Sequence, residues 1–148
     1  MSKIVIFDLD GTLALIDDRR KISTKPNGKM DWDKFFDPKN ISLDKPNMPV
    51  IKMAQSLASD GFQIVIFSGR SKSTIWATKF WLSKNKVPFH KLLMRPIKDF
   101  TPDDVLKQNW LNDIGKDNVL CTFDDRNKVV DMWRNNGVTC FQVADGNF

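Results

Sequence analysis

Two aspartates one residue apart, Asp8 and Asp10, follow directly on the apolar run Ile4-Val5-Ile6-Phe7. In an extended chain, residues i and i+2 project to the same side. The pattern therefore brings two carboxylates together at the end of a buried strand. Carboxylates placed in this way repel each other, and the pair calls for a compensating cation. Gly11 permits a sharp turn at that point, and Thr12 adds a hydroxyl. A divalent metal site with a phosphate group beside it is the chemistry these residues suit.

Two further apolar runs end in polar groups of the same kind. Gln63-Ile64-Val65-Ile66-Phe67 gives way to Ser68-Gly69-Arg70, a hydroxyl, a flexible glycine and a guanidinium suited to phosphate oxygens. Val119-Leu120-Cys121-Thr122-Phe123 gives way to Asp124-Asp125-Arg126. Surface solvation would not place carboxylates selectively after apolar runs.

The elements that must position these groups are legible between them. Val50, Met53, Ala54, Leu57 and Ala58 recur at helical spacing after Pro49, and Gly61 ends that helix. Residues 72–84 read as a second amphipathic helix with Ile75, Phe80, Trp81 and Leu82. Pro102 and Asp103 open a third, with Val105, Leu106, Trp110 and Leu111. A fourth carries Val129, Val130, Met132 and Trp133 and stops at Gly137. Strands are expected over 63–67, weakly near 91–94, over 119–123 and over 138–143. Alternating strands and helices predict an α/β fold: a Rossmann-like parallel sheet of about five strands with helices on both faces. Ligands in such sheets bind beyond the carboxyl ends of strands. Asp8, Asp10, Ser68, Arg70, Asp124 and Asp125 all fall at such ends.

The chain reads as a single domain, 1–148, with a small cap or flap inserted at about 20–48. That insert is polar and punctuated by Pro26, Gly28, Pro38 and Pro46. Inside it, Asp31 can cap a short helix that places Trp32, Phe35 and Phe36 on one face. These aromatics either fasten the flap to the body or stack on a base or sugar.

Composition narrows the classes. No apolar run approaches the length of a membrane span, and no secretory leader opens the sequence. Cys121 and Cys140 lie in apolar runs and read as buried thiols, and with His90 as the single histidine no zinc ligand set exists. Every acidic side chain is Asp. Residues 1–100 carry 18 Lys and Arg against 10 Asp, and residues 101–148 carry 5 against 8, so the excess of positive charge that favours an anionic partner lies in the first two thirds.

Asp8-Leu9-Asp10-Gly11-Thr12 resembles the first motif of the haloacid dehalogenase-like (HAD) phosphohydrolases. Ser68, Lys107 and the Asp124-Asp125 pair resemble the second, third and fourth, in order. The resemblance is closer to the 3′-phosphatase domain of phage polynucleotide kinase/phosphatase, through Ile4–Leu13, Gly61–Arg70, Asp103–Lys107 and Phe123–Phe148. Residues 22–48 follow that pattern poorly. No Gly-x-x-x-x-Gly-Lys-Ser/Thr motif occurs, so a kinase centre is not expected within this sequence.

The resemblance implies a Mg²⁺-dependent phosphomonoesterase working through an aspartyl-phosphate. Asp8 would be the nucleophile and Asp10 the acid and base. Mg²⁺ would be bound by Asp8, the Asp10 carbonyl, Asp124 and Asp125. Thr12, Ser68 and Lys107 would hold the phosphoryl oxygens. Gly69 falls in the phosphate-binding stretch, Arg19 and Arg70 match basic residues near substrate, and Asp103 would orient Lys107 or a basic partner. The implied substrate is a nucleic-acid end, foremost a 3′-phosphate. The alternatives are a phosphatase of free nucleoside monophosphates and a non-catalytic nucleic-acid-binding module. A cytoplasmic location is expected, in the host if the gene is a phage's.

Overall fold

Ile4-Val5-Ile6-Phe7 carries apolar side chains on both faces, and such a strand must be covered from both sides. The computed structural model, which describes residues 2–148, places it at the middle of a five-stranded sheet. In chain order the strands are β1 (Ile4–Asp8), β2 (Ala14–Leu15), β3 (Lys45–Pro46), β4 (Gln63–Ser71), β5 (Lys91–Arg95), β6 (Val119–Asp124) and β7 (Cys140–Gln142). The helices are α1 (Asp17–Ser23), α2 (Trp32–Phe35), α3 (Pro38–Ile41), α4 (Met48–Ser59), α5 (Ile75–Lys84), α6 (Asp103–Ile114) and α7 (Asn127–Asn135).

The sheet order is β5-β4-β1-β6-β7 and every pairing is parallel. The chain builds outward from β1 through β4 to β5, then returns to β1's other side with β6 and β7. The order reverses between β1 and β6, where an open α/β sheet leaves a crevice for ligand. Phe7 and Phe123 are register partners there, stacked at 4.5 Å with 3° between ring planes. The residues that follow them are Asp8 and Asp124.

Two apolar clusters cover the two faces. Val5 and Phe7 pack with Ile51 and Ala54 of α4 and Trp81 and Leu82 of α5. Ile6 packs with Leu111 of α6 and Val129, Val130 and Trp133 of α7. Each such aliphatic side chain contributes about 1.5–3 kcal/mol on burial. Cys121 and Cys140 are buried free thiols within these clusters, and burial pushes the Cys121 thiol up to about 11. The His90 ring is a structural acceptor, its Nδ1 taking the Ile64 N–H at 2.9 Å.

Three expectations are corrected. First, β1 stops at Asp8, so the alternation of a strand does not reach Asp10. The Leu9 carbonyl collects the N–H groups of Leu13 and Ala14 at 3.0 Å each, and Gly11 takes φ +85°. This turn sends Asp10 in its own direction. Second, β4 runs on through Ser68-Gly69-Arg70 to Ser71, and only its pairing with β5 breaks, between Ser68 and Ser71. Third, α5 buries Thr78, Trp81 and Leu82 alone, a stripe too narrow to include Phe80, which is 70% exposed.

The segment after β1 is more built than a loop. Ala14–Leu15 pairs antiparallel with Lys45–Pro46, closing a ribbon around α1, α2 and α3. Asp31 caps α2 by accepting the Lys34 N–H at 3.2 Å, as its position predicts. Phe35 then enters the core beside Val50 and Ile51, while Trp32 stays largely exposed. No helix among the described residues is long and apolar enough to cross a membrane.

Candidate active site

Asp8 lies on the face of β1 opposite Phe7, toward α6. Lys107, one turn into α6, is buried there and donates to Asp8 Oδ1 at 2.8 Å and to Asp124 Oδ2 at 3.0 Å. Thr12 Oγ1, also buried, donates to Asp8 Oδ2 at 3.0 Å. Asp125 stands beside them. A Cβ on Gly11 would overlap the Asp125 carboxylate, so only glycine fits at that turn.

Oxygens of Asp8, Asp124 and Asp125 come within 4.8 Å of one another, all three residues buried. Burial raises the Asp8 carboxyl well above its ordinary value, with Asp124 adding to the shift and Lys107 opposing it. Burial raises Asp125 as well. Three carboxylates against one ammonium leave the cluster at about −2, the charge one divalent cation neutralises. An all-oxygen donor set of this kind suits a hard ion such as Mg²⁺. The residues present thus fit the metal that the sequence motif implies.

Asp10 belongs to a separate arrangement. Its Oδ1 accepts from Arg70 Nη2 at 2.6 Å, Arg70 Nε at 3.0 Å and Arg19 Nη2 at 2.8 Å. Both arginines are fully buried and also bind Asp44, through Arg19 Nε at 3.0 Å and Arg70 Nη2 at 2.9 Å. Asp10 Oδ2 has no protein partner among the described residues and opens to the cleft. Burial works to raise the Asp10 carboxyl, but Arg70 and Arg19 outweigh it and hold it below its ordinary value. Burial pushes Asp44 up to about 6 against the same two arginines. At neutral pH two carboxylates therefore face two guanidinium groups. Arg19 and Arg70, expected at the substrate, donate to Asp10 and Asp44, and further to the Phe35 carbonyl and the Thr78 hydroxyl respectively.

Ser68 is buried, and its Oγ accepts the Arg70 N–H at 3.1 Å. Gly69 lets Asp103 approach: a Cβ there would lie 2.7 Å from Asp103 Oδ1. Asp103 does not hydrogen-bond Lys107. It binds the guanidinium of Arg95 and, at 3.0 Å, that of Arg126. This ion pairing ties the start of α6 to the end of β5 and to the turn after β6.

The Asp124-Asp125 turn is held from three sides. Trp133 Nε1 donates to Asp124 Oδ2 at 3.3 Å, and the Asp125 N–H closes onto Asp124 Oδ1 at 2.9 Å. Behind it, the Val143 N–H donates to the Asp124 carbonyl at 3.0 Å and Gln142 Nε2 to the Asp125 carbonyl at 3.0 Å. Gly146 packs so closely that a Cβ would overlap the Asp125 carbonyl. Neither aspartate caps α7, whose N-cap is Arg126.

Sequence reasoning missed Asp44, Arg95, Arg126 and Trp133. Asp44 stands in a segment with no motif, and its one signal is an acid following Ile41 and Leu43. Arg95 and Arg126 line a cleft of about 800 Å³ together with Asp8, Asp10, Lys107, Asp124 and Asp125.

A parallel sheet with an aspartate ending its central strand and an acidic pair across its order reversal is the arrangement of an HAD-like phosphatase. A 14% identical phosphatase from Clostridium difficile has the same fold, with a TM-score of 0.73 over 95% of this chain and 84% of that one. The model of the polynucleotide kinase PNKP phosphatase domain matches residues 2–148, and the chain belongs to that family. A bifunctional polynucleotide kinase/RNA ligase of Autographa californica nuclear polyhedrosis virus is 35% identical over 147 residues, 96% of this chain and 19% of that protein. A chain of the Pnkp1/Rnl/Hen1 complex is 31% identical, with a TM-score of 0.81 over all of this chain and 48% of that one. A chain of the Pnkp1/Rnl/Hen1 RNA repair complex is 33% identical, with a TM-score of 0.78 over 97% of this chain and 43% of that one. The chain thus spans about a fifth of the viral relative and under half of the two solved chains.

Proposed function

We propose that this protein removes the 3′-phosphate from polynucleotide ends through an aspartyl-phosphate on Asp8, as one domain with residues 20–48 as its flap. One observation carries the reading: Asp8 sits among Lys107, Asp124 and Asp125, while Asp10 is drawn apart and held by two arginines. Two neighbouring carboxylates in such different surroundings suit two different tasks. The polynucleotide substrate is supported by the family and by the similarity to a viral polynucleotide kinase/RNA ligase.

In the first step an oxygen of Asp8 attacks phosphorus, and the bond to the 3′-oxygen breaks. Asp10 Oδ2, open to the cleft, delivers the proton that the leaving oxygen needs. Asp10 takes up that proton from water as the substrate binds, because a phosphate dianion beside it opposes its ionisation. In the second step Asp10 takes a proton from water, which attacks phosphorus and frees Asp8. Lys107 Nζ and the hydroxyls of Thr12 and Ser68 would bind the phosphoryl oxygens as they gather charge. Asp8, Asp124, Asp125 and the Asp10 carbonyl would hold Mg²⁺, which when bound offsets the repulsion between a carboxylate and a phosphate dianion.

The test is phosphate release from 3′- and 5′-phosphorylated oligonucleotides and from free mononucleotides, with Mg²⁺ and with chelator. The expected result is Mg²⁺-dependent release with preference for the 3′-phosphorylated strand. Preference for free 5′-mononucleotides would establish the nucleotidase reading instead.

A further inference from the structure

Three exposed aromatic side chains line the cleft that holds Asp8 and Asp10; Phe148 packs against the Arg20 and Arg126 guanidinium groups, and the phosphoryl chemistry uses neither of the other two, Trp32 and Phe100. Trp32 is 60% exposed and Phe100 is 90% exposed. They come from separate segments, Trp32 from α2 and Phe100 from the connection between β5 and α6.

Trp32 is held at its ring, and Phe100 through the main chain on either side of it. Trp32 stacks on Phe36 at 5.9 Å with 18° between planes and meets Phe35 at 5.6 Å in a T-shaped contact. Phe35 is anchored in the core, so the indole is supported from behind and its other face is free. Phe100 sits at the crest of a braced turn. The Thr101 N–H donates to Asp99 Oδ1 at 2.8 Å and the Asp99 N–H to the Pro96 carbonyl at 3.1 Å. Arg95 Nη1 gathers the Asp99 and Thr101 carbonyls on either side of the ring.

A single exposed aromatic needs no explanation. Two braced aromatics sharing a cleft with a phosphate-processing centre, and with the basic Arg20 and Lys98 on the same lining, form a different combination. A rigid aromatic face beside positive charge is how single-stranded nucleic acid is gripped without reading sequence.

We propose that Trp32 and Phe100 form a stacking site for the bases at the phosphorylated end of a single-stranded polynucleotide. The proposal rests on the 3′-phosphatase reading and specifies its substrate contact. Stacking on a π-face tolerates all four bases, so affinity depends on the presence of a terminal base and little on its identity. Arg20 and Lys98 lie where they can follow the backbone.

The experiment compares two oligonucleotides with the same 3′-phosphate, one bearing a terminal base and one an abasic tetrahydrofuran unit in its place. Binding is measured by fluorescence anisotropy in an Asp8→Asn background, which needs no turnover. Trp32→Ala and Phe100→Ala should each weaken the base-bearing strand about tenfold and the abasic strand less than about twofold. Trp76→Ala, on α5 and outside the cleft lining, should leave the discrimination unchanged. Equal losses on both strands, or no loss on the base-bearing one, would overturn the stacking site. Failure of the 3′-phosphatase reading shows separately, as catalytic preference for 5′-phosphates. The base dependence of binding reads on Trp32 and Phe100 in that case too.

Discussion

Asp8 and Lys107 are separated by 99 positions in sequence and by 2.8 Å in space. The ammonium also reaches Asp124 at 3.0 Å, making it the one cation that binds the three-carboxylate cluster among the described residues. Its burial is tolerable only because the acids surround it, and theirs only because it is there.

Lys107→Met should therefore cost about 3–5 kcal/mol of stability in the metal-free protein, since it leaves buried carboxylates without their counter-charge. Urea unfolding with chelator present measures it. Added Mg²⁺ should restore part of the loss but no turnover. A variant as stable as the parent in chelator would show that the cluster is hydrated rather than buried.

The same cluster sets a pH dependence. Burial and neighbouring acids raise Asp8 and Asp125 in the folded protein, so the folded state binds protons more tightly than the unfolded chain. That stabilisation is present at low pH and is lost as pH rises above the ordinary carboxylate value of 3.8 and through the folded values. Asp44, at about 6, acts in the same direction. Without metal, Tm should fall as pH rises from the ordinary carboxylate value of 3.8 through about 6, where Asp44 titrates. Saturating Mg²⁺ should flatten the slope and add about 2.7 kcal/mol at a hundredfold excess over Kd. Asp125→Asn should weaken the metal response and raise metal-free stability.

Asp44 reaches Asp10 only through Arg19 and Arg70, which makes it a positioning residue in the acid–base step. Asp44→Asn should slow release from a 3′-phosphorylated strand by roughly 10–100-fold, a part of what a general acid supplies. p-Nitrophenyl phosphate, whose leaving group needs no proton, should be affected much less. Equal losses on the two substrates would indicate general disruption of the site.

Gly146 lies outside the chemistry yet against the Asp125 main chain. Gly146→Ala should displace the Asp124-Asp125 turn and weaken Mg²⁺ binding, read by titration calorimetry. Unchanged metal affinity would mean that the tail yields instead.

The strands and the acids at their ends were legible in sequence because apolar runs are long-range signals of burial, and an acid directly after one has few other uses. Ser68, Lys107 and Asp124-Asp125 stood out through a motif series. The limits were geometric. Alternation placed Asp8 and Asp10 on one side, because nothing in the letters reveals that the Leu9 carbonyl ends the strand between them. Asp44 escaped notice because its partners, Arg19 and Arg70, lie 25 and 26 positions away on opposite sides in sequence. Phe80 was misassigned to a buried face because apolarity alone does not measure how wide a stripe its helix can cover.

The strand order carries a consequence for synthesis. β1 is made before both of its neighbours, β4 and β6, the latter at Val119–Asp124. A nascent chain can therefore expose Asp8 and Asp10 long before Asp124 and Asp125 emerge. Until then its carboxylates lack partners to share an ion, and β1 lacks one of its two edges. Assembly of the metal-binding cluster thus waits for β6, and tight Mg²⁺ retention by a ribosome-bound chain would report that β6 has docked.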